Sequence, residues 1–274
     1  MHLFMLLFLS ASALGAKLLI VGEHHFDRRY RVAFDQILQA DRTVRCVFLE
    51  DSPQMDAAAA RFLAGGGDFT SVYLARYFEV GAAMGMERAD LQSIWDHNYA
   101  GRELILASAK RRGLKVYHVD YSSDQSAGFV PLEGDASIQW NYIRRHEIMA
   151  ENMARHRREC PRAMALVGES HIDVPRVLEM MRRSRGPGFR YTGPPIRSLG
   201  AHTTLAGFRT VSAAIAFDPT ARVQGVARPV EALSNAELER YTQLEFFASD
   251  DSYTEYGVRI NLREQFDRLY VFRP

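Results

Sequence analysis

Short apolar runs alternate with amphipathic stretches over residues 17–185, and this alternation predicts repeated strand–helix units. The runs are short, continuous and rich in branched side chains, as buried parallel strands are. They predict strands at residues 17–21, 44–49, 115–119 and 163–167. The intervening segments predict helices at 27–38, 53–64, 103–112, 138–158 and 174–183, and a helical insert at 71–89. The expected fold is α/β, with a mostly parallel central sheet flanked by helices.

The pattern changes after residue 185, where glycine and proline separate short β-like segments. Residues 211–216 and 269–272 predict strands. We expect residues 186–274 to form a C-terminal β-containing extension packed on the α/β domain of residues 17–185. Residues 122–136 are polar and rich in glycine, and we expect a loop over the cleft.

Residues 1–16 form a separate segment with two interpretations. An apolar stretch followed by small residues is typical of a short signal peptide and its cleavage site. No lysine or arginine precedes the stretch, so a buried first helix or strand is the alternative. The first interpretation predicts a secreted or periplasmic protein, and the second a cytoplasmic protein or a delivered effector. The stretch is too short to span a bilayer.

Composition narrows the class of partner. Of the 274 residues 47% are hydrophobic and 24% charged, which is typical of a globular protein with a sizeable core. The net charge of +1 gives no electrostatic reason to expect nucleic acid or an anionic membrane as partner. Cys46 lies in a strand pattern and is expected to be a buried, inert thiol. Cys160 shares no metal or redox spacing with it. The redox compartment and the oligomeric state stay open.

The sequence G-E-x-H occurs twice, each time at the end of an apolar run. Gly22, Glu23 and His25 form the first copy, and residues 168–171 form the second, with Glu169 and His171. Roughly a few hundredths of a match would be expected by chance in a chain of this length. Open α/β sheets bind ligands at the carboxyl ends of their strands, so both copies are expected in one cleft. We expect each glycine to allow a sharp turn and the approach of a ligand.

Two more acidic residues follow the other strands, Glu50 after the second and Asp120 after the third. Several carboxylates in one cleft repel one another unless positive charge lies among them. A divalent metal such as zinc, manganese or iron is one source. Arg31 on the first helix and Arg145 on the long helix are the other, with Arg144 as the neighbour that competes with Arg145.

The remaining histidines have less distinctive surroundings. His24 is expected to be structural or to contact the site residues without lining the cleft itself. His97 begins a predicted helix and has two interpretations, cleft lining or helix capping. His118 lies inside the third strand and is expected to be a hydrogen-bonded core residue. His146 and His156 lie on the long helix and are expected at the surface.

Four segments together match a known superfamily: the two G-E-x-H motifs, Glu50, and an R-x-x-x-M-A-x-N segment at residues 145–152. This set resembles the erythromycin esterase, ChaN-like and TIKI/TraB group. Residues 48–120 are most similar to the ChaN-like domain of dermonecrotic, membrane-targeted bacterial toxins. The resemblance covers residues 17–185 and implies ester hydrolysis, metal-dependent proteolysis or haem binding. His146 stands where the esterases carry an acidic residue, which argues against macrolide esterase activity.

The first hypothesis is a hydrolase acting on a small-molecule or peptide substrate. In it His25 or His171, held by a carboxylate and with a near-neutral pKa, activates water as a general base. Arg31 and Arg145 stabilise the developing oxyanion. The carboxylates of Glu23, Glu50 and Glu169 orient the water or hold a metal. If a metal is used, its expected ligands are Glu23, Glu50, His25 and His171.

Two other hypotheses are open. One is a module that binds haem or another ligand, motivated by spare histidines and by Tyr99, Tyr117 and Tyr121 near strand ends. The other is a bacterial toxin or effector domain, motivated by the toxin-like middle of the chain.

Overall fold

The computed structural model describes residues 16–25, 27–96, 101–126, 135–174, 178, 182, 186, 188–217, 231–233, 244–245, 259–260 and 266–272. The strands are β1 (Ala16–Glu23), β2 (Cys46–Leu49), β3 (Lys115–His118), β4 (Arg162–Gly168), β5 (Phe208–Phe217), β6 (Glu231–Leu233), β7 (Leu244–Glu245), β8 (Arg259–Ile260) and β9 (Arg268–Phe272). The helices are α1 (Arg28–Ala40), α2 (Asp56–Leu63), α3 (Ala75–Ala83), α4 (Arg88–Ile94), α5 (Arg102–Arg112), α6 (Ser123–Ser126), α7 (Asp135–Gln139) and α8 (Arg145–Arg155).

The main sheet has the order β3-β2-β4-β1-β5-β9-β6 in the described part of the chain. Neighbouring strands from β3 to β9 pair in parallel, and β6 pairs antiparallel with β9 at the edge. The predicted mostly parallel α/β fold is therefore confirmed. Because β1 pairs with β4 and β5, its carboxyl end lies near the middle of the sheet.

The C-terminal strands extend this same sheet. Both predicted C-terminal strands are present, as β5 and β9, and β5 runs beside β1 with Leu18 paired to Thr210. The division of the chain at residue 185 stays a prediction.

Helices cover both faces of the sheet. On one face, Phe34 and Leu38 of α1 pack with Val47 and Leu166 from the strands. On the other face, Met149 and Met153 of α8 pack in a second cluster of buried side chains. Strands buried on both faces explain why the sequence shows continuous apolar runs rather than alternation.

Local signals fix several helix ends. Asp27 caps α1 by accepting a hydrogen bond from the backbone N–H of Arg29. Ser52 caps a short 3₁₀ turn that leads into α2, with Pro53 at its first position. Gly113 ends α5 with a φ of 64°, the left-handed conformation that glycine adopts without steric cost.

Two helical predictions differ in detail. The expected insert at 71–89 consists of a π-helical turn at 70–74, α3 and α4, and it bends at Gly85, which has a φ of 79°. The expected helix at 138–158 begins at residue 135 and contains a π-helical segment at 140–144 before α8.

Residues 1–15, 97–100 and 127–134 lie outside the described residues, as does most of the predicted helix at 174–183. No helix in the described ranges is long and apolar enough to cross a membrane.

The prediction that Cys46 is a free, inert thiol was wrong. Cys46 forms a disulfide with Cys160, which lies 114 residues further along the chain. The pairing is possible because β2 and β4 are adjacent, so the start of β2 lies beside the loop that leads into β4. No cysteine spacing in the sequence indicates such a partner, because the proximity arises only from the order of the strands.

Candidate functional site

The carboxyl ends of β1 and β2, on either side of β4, bring Glu23 and Glu50 to opposite sides of His25. Glu23 is the last residue of β1, and Glu50 follows β2 directly. His25 lies between them, with Nδ1 3.0 Å from Oε1 of Glu23 and Nε2 3.6 Å from Oε1 of Glu50. The structure therefore brings the first G-E-x-H motif together with Glu50.

Glu23 is completely buried and is surrounded by cations. Its Oε2 lies 3.1 Å from Nε of Arg31, and its Oε1 lies 3.5 Å from Nη2 of Arg102. Burial raises the pKa of Glu23, but the charge of Arg31, the hydrogen bond from His25 and the charge of Arg102 outweigh it and lower the pKa to about 2. Glu23 is therefore a carboxylate at neutral pH.

The carboxylate of Glu50 contacts two side chains and one backbone N–H group in addition to His25. Its Oε1 lies 2.6 Å from Nη2 of Arg145 and 3.2 Å from Nε2 of His171. Its Oε2 accepts a hydrogen bond from the backbone N–H of Gly168. Burial raises the pKa of Glu50, but the charges of His171, Arg145 and His25 hold it well below its usual value.

Arg145 joins Glu50 to Asp120. Its Nε donates to Oδ1 of Asp120 over 2.8 Å, and its guanidinium lies over the ring of Tyr121, 5.5 Å from the ring centroid. Burial lowers the pKa of Arg145, but Asp120 and Glu50 raise it above its usual value. Arg144, the neighbour that competed with it in the sequence, points to solvent and pairs with Glu147.

The two motif glycines serve close packing rather than sharp turns. Neither glycine has a positive φ. A Cβ on Gly22 would lie 3.2 Å from Cα of Glu169, and a Cβ on Gly168 would lie 2.7 Å from Nε2 of His25. Each glycine thus faces a residue of the other motif. The expected turn and ligand approach are replaced by contact between the two copies.

His171 extends the cluster inwards to His146. Nε2 of His146 lies 2.8 Å from Nδ1 of His171, and Nδ1 of His146 lies 3.0 Å from the carbonyl oxygen of Arg197. Burial lowers the pKa of His146 to about 3, with His171 acting in the same direction. The expected surface position of His146 was therefore wrong, since it is buried beside the site.

Hydrogen-bond chemistry then sets the direction of the bond between the two histidines. A carbonyl oxygen only accepts, so the neutral His146 donates from Nδ1 and accepts at Nε2. Nδ1 of His171 therefore donates to His146, and Nε2 of His171 lies beside the carboxylate of Glu50.

His25 is a cationic histidine. Burial lowers its pKa, but the charge of Glu50 and the hydrogen bond to Glu23 raise it to about 10. This value differs from the near-neutral pKa that a general base requires and that the sequence interpretation assumed. His25 therefore carries both ring protons at neutral pH.

The other predicted residues lie further from the cluster. Glu169 is half-buried with its Cα, Cβ and Cγ against Gly22, and in the described part of the chain it does not line the cavity. His118 is buried, hydrogen-bonded to Asp56 and Tyr73, as expected for a core histidine. His24 lies near the ring of Tyr30. His156 stacks on Tyr117, their ring centroids 3.7 Å apart, and His97 and Tyr99 lie outside the described residues.

The donor set does not fit a metal ion. Within the described ranges, no group of three or more His, Cys, Asp and Glu side chains has an arrangement that could hold one. The expected ligands Glu23, Glu50, His25 and His171 face one another as ion pairs. A cation at Glu50 would also lie against the guanidinium of Arg145.

A cavity of about 330 Å³ opens beside the cluster. The charged residues that line it are His25, Glu50, Asp51, Arg102, Asp120 and Arg145. The side chains of His25 and Arg145 are 32% and 20% exposed, whereas those of Asp120 and Glu50 are 11% and 2% exposed. The cations of the cluster are therefore its most accessible charges.

Sequence reasoning missed Arg102 and Asp51. Arg102 begins α5 and reaches back to contact Glu23 and Asp51, with the Asp51 contact 2.5 Å long. Asp51 follows Glu50 directly, so its position at a strand end could have indicated it. Arg102 follows Gly101, and nothing in that pair of residues predicts an approach to β1.

No family model matches this chain, and no curated protein resembles it significantly. Three solved structures show a low level of similarity to this chain. The type III effector HopBA1 is 13% identical over 97% of this chain and 91% of its own, with a TM-score of 0.46. ChaN of Campylobacter jejuni, which binds haem cofacially, is 10% identical over 99% and 92%, with a TM-score of 0.43. A protein from Bacillus cereus is 10% identical over 96% and 90%, with a TM-score of 0.49. Likeness at this level carries no argument about activity, and the toxin or effector hypothesis stays a prediction.

Proposed function

We propose that the chain binds a small anionic ligand at His25 and Arg145. The observation that carries the proposal is the order of exposure in the cluster. Its carboxylates are at most 12% exposed and are paired with cations, and its two most exposed charged side chains are positively charged. An anion in the cavity would accept hydrogen bonds from the remaining N–H groups of Arg145 and would lie near the positive charge of His25. The site is partly desolvated, which strengthens both interactions.

The position of Arg145 suits this role. Its guanidinium has five N–H donors, of which Asp120 and Glu50 engage only part. Those two carboxylates also fix its orientation, so little conformational entropy is lost when a ligand binds. His25 is fixed in the same way between Glu23 and Glu50.

We expect Arg145→Lys to weaken the binding of inorganic phosphate and of acetate at least tenfold. Lysine keeps the charge but loses the planar fork, and a hydrogen bond to a charged group contributes about 1.5–3 kcal/mol. Isothermal titration calorimetry measures the affinity. Arg144→Lys is the matched control, because Arg144 is exposed, lies one position away and should leave the affinity unchanged.

The affinity of the wild-type protein for acetate should also fall as the pH rises through about 10. His25 is protonated below its pKa of about 10 and loses its charge above it, whereas acetate keeps its charge throughout. His25→Gln should remove this step. Equal affinity in wild type and Arg145→Lys, or an acetate affinity that stays constant from pH 7 to 10.5, contradicts the proposal.

A hydrolase is the second candidate, supported by the His25–Glu23 pair at the cavity mouth. In this geometry His25 acts as an acid that protonates a leaving group, rather than as the base. We expect His25→Gln to lower kcat/KM 10²–10⁴-fold in any ester, peptide or phosphoester that the protein cleaves, and wild-type activity to fall above pH 10. Absence of turnover across such a panel, with and without chelator, rejects hydrolysis and leaves anion binding untouched.

Haem is a further ligand with acidic groups, and its iron needs an axial ligand. Both nitrogens of His25 face carboxylates, so His25 would have to leave them to bind iron. Tyr77 and Tyr121 line the cavity, but burial raises the pKa of both hydroxyls and disfavours the phenolate. The histidine and the tyrosines of the lining therefore fit an acidic ligand better than they fit a haem iron, and a hemin titration without a Soret shift is expected.

A further inference from the structure

Part of the cavity wall is apolar rather than charged. Beyond the charged end, apolar side chains enclose the remaining space over the start of α2 and the inner side of the insert. They are Met55, Val80, Met84, Met86, Leu91 and Ile94. A ligand that filled the cavity would therefore touch charged groups at one end and mostly apolar atoms at the other.

The insert supplies this wall and is not needed to connect the strands. Parallel strands need a crossover of about a dozen residues, usually one helix. Between β2 and β3, α2 and α5 already supply crossover helices that contact each other and the strands. The π-helical turn at 70–74, α3 and α4 are additional, and α3, α4 and the bend between them carry most of the apolar lining.

A glycine fixes the shape of the wall. A Cβ on Gly81 of α3 would lie 2.2 Å from Cδ2 of Leu91 on α4, so the two helices approach closely only because residue 81 is glycine. Met84 and Met86 lie in the bend that follows and are half-buried. Methionine side chains are flexible and polarisable, which suits contact with a chain of variable shape.

We propose that the ligand is an aliphatic acid, with its anionic head against His25 and Arg145 and its chain along Met84, Met86 and Leu91. This proposal rests on the proposed function and adds the class of ligand to it. Carboxylates and phosphate monoesters share the required head-group chemistry. At about 30 Å³ for each atom of water's size, 330 Å³ holds on the order of ten atoms, which leaves room for a chain of about six to eight carbons.

The test is a chain-length series, measured by calorimetry on the full-length protein below the micellar concentration. One arm uses straight-chain carboxylates from acetate to decanoate, and the other uses alkyl phosphates from methyl to decyl. Affinity should rise about fourfold for each methylene, which corresponds to about 0.8 kcal/mol per buried CH₂, and should level off near six to eight carbons. The arm with the tighter binding at equal length identifies the head group.

Met84→Gln should remove most of the gain from chain length and should lower the affinity for octanoate far more than the affinity for acetate or phosphate. Leu74→Gln is the matched control, since Leu74 is equally half-buried on the insert but does not line the cavity. It should keep the wild-type series. Thermal unfolding of both variants shows whether each is folded.

The outcomes separate the two proposals. Acetate and phosphate binding with no dependence on chain length overturns the aliphatic ligand and keeps the anion site. Long chains that bind equally well to wild type and Arg145→Lys overturn the anion site. Hemin that binds with a Soret shift and is not displaced by octanoate overturns the aliphatic ligand in favour of haem.

Discussion

Removing the Cys46–Cys160 disulfide should lower the free energy of unfolding by about 4–5 kcal/mol. The bond closes a loop of 114 residues, and a cross-link over about 100 residues restricts the unfolded chain by an amount worth about 4.7 kcal/mol. Both cysteines are fully buried, so the bond lies inside the folded structure. The measurement is urea unfolding of the oxidised protein and of Cys46→Ala/Cys160→Ala.

Two comparisons make this result interpretable. The double alanine variant also removes two buried sulfur atoms, so the reduced wild-type protein is the control that keeps them. The reduced protein should unfold at a urea concentration close to that of the variant. Equal midpoints for the oxidised and reduced protein would show that the two sulfurs are not bonded in solution. Disulfides persist in oxidising compartments, so the bond favours the secreted or periplasmic alternative.

The sequence predicts the strands well because burial on both faces gives continuous apolar runs. Residues 17–21 and 163–167 are such runs, and they form most of β1 and β4. It does not predict that β5 pairs with β1, because the order of strands depends on contacts between distant segments. The disulfide was missed for the same reason, since it follows from the pairing of β2 with β4.

The sequence predicts the site residues that directly follow strands, but it does not predict those whose position depends on how the helices pack. Glu23, His25 and Glu50 directly follow apolar runs. His146 was expected at the surface, but the sequence does indicate its burial. Met149, Ala150 and Met153 follow His146 at the spacing of one buried helix face. The sequence places carboxylates and histidines together but does not show their protonation, which depends on the hydrogen bonds among them.

The charges within the cluster have a structural consequence. Each buried carboxylate is stabilised by cations from α1, α5 or α8, so these helices are held to the sheet by ion pairs as well as by apolar packing. Burying two charges gains little by itself, but removing one partner leaves the other uncompensated. The pair between Glu23 and Arg31 tests this most directly, because neither side chain is exposed.

Arg31→Met should lower the free energy of unfolding by about 3–5 kcal/mol at pH 7, because it leaves the carboxylate of Glu23 short of its nearest guanidinium. Arg29→Met, on the same helix, is the control. Its partner Asp27 forms an exposed pair, and such pairs contribute about 0–1 kcal/mol. Adding Glu23→Gln to Arg31→Met should recover part of the loss, giving a coupling energy of at least about 1 kcal/mol.

The pH dependence supplies an independent check of the same pair. The pKa of Glu23 is lowered to about 2, so its contribution is complete above the unfolded-state value of 4.5 and is lost as the pH falls towards 2. Without Arg31 the pKa of Glu23 rises, and the remaining contribution should be lost at a higher pH. Urea unfolding between pH 3 and 7 measures both curves. If Arg31→Met and Arg29→Met lower the free energy of unfolding equally, or if their pH curves have the same shape, the Glu23–Arg31 pair does not stabilise the fold.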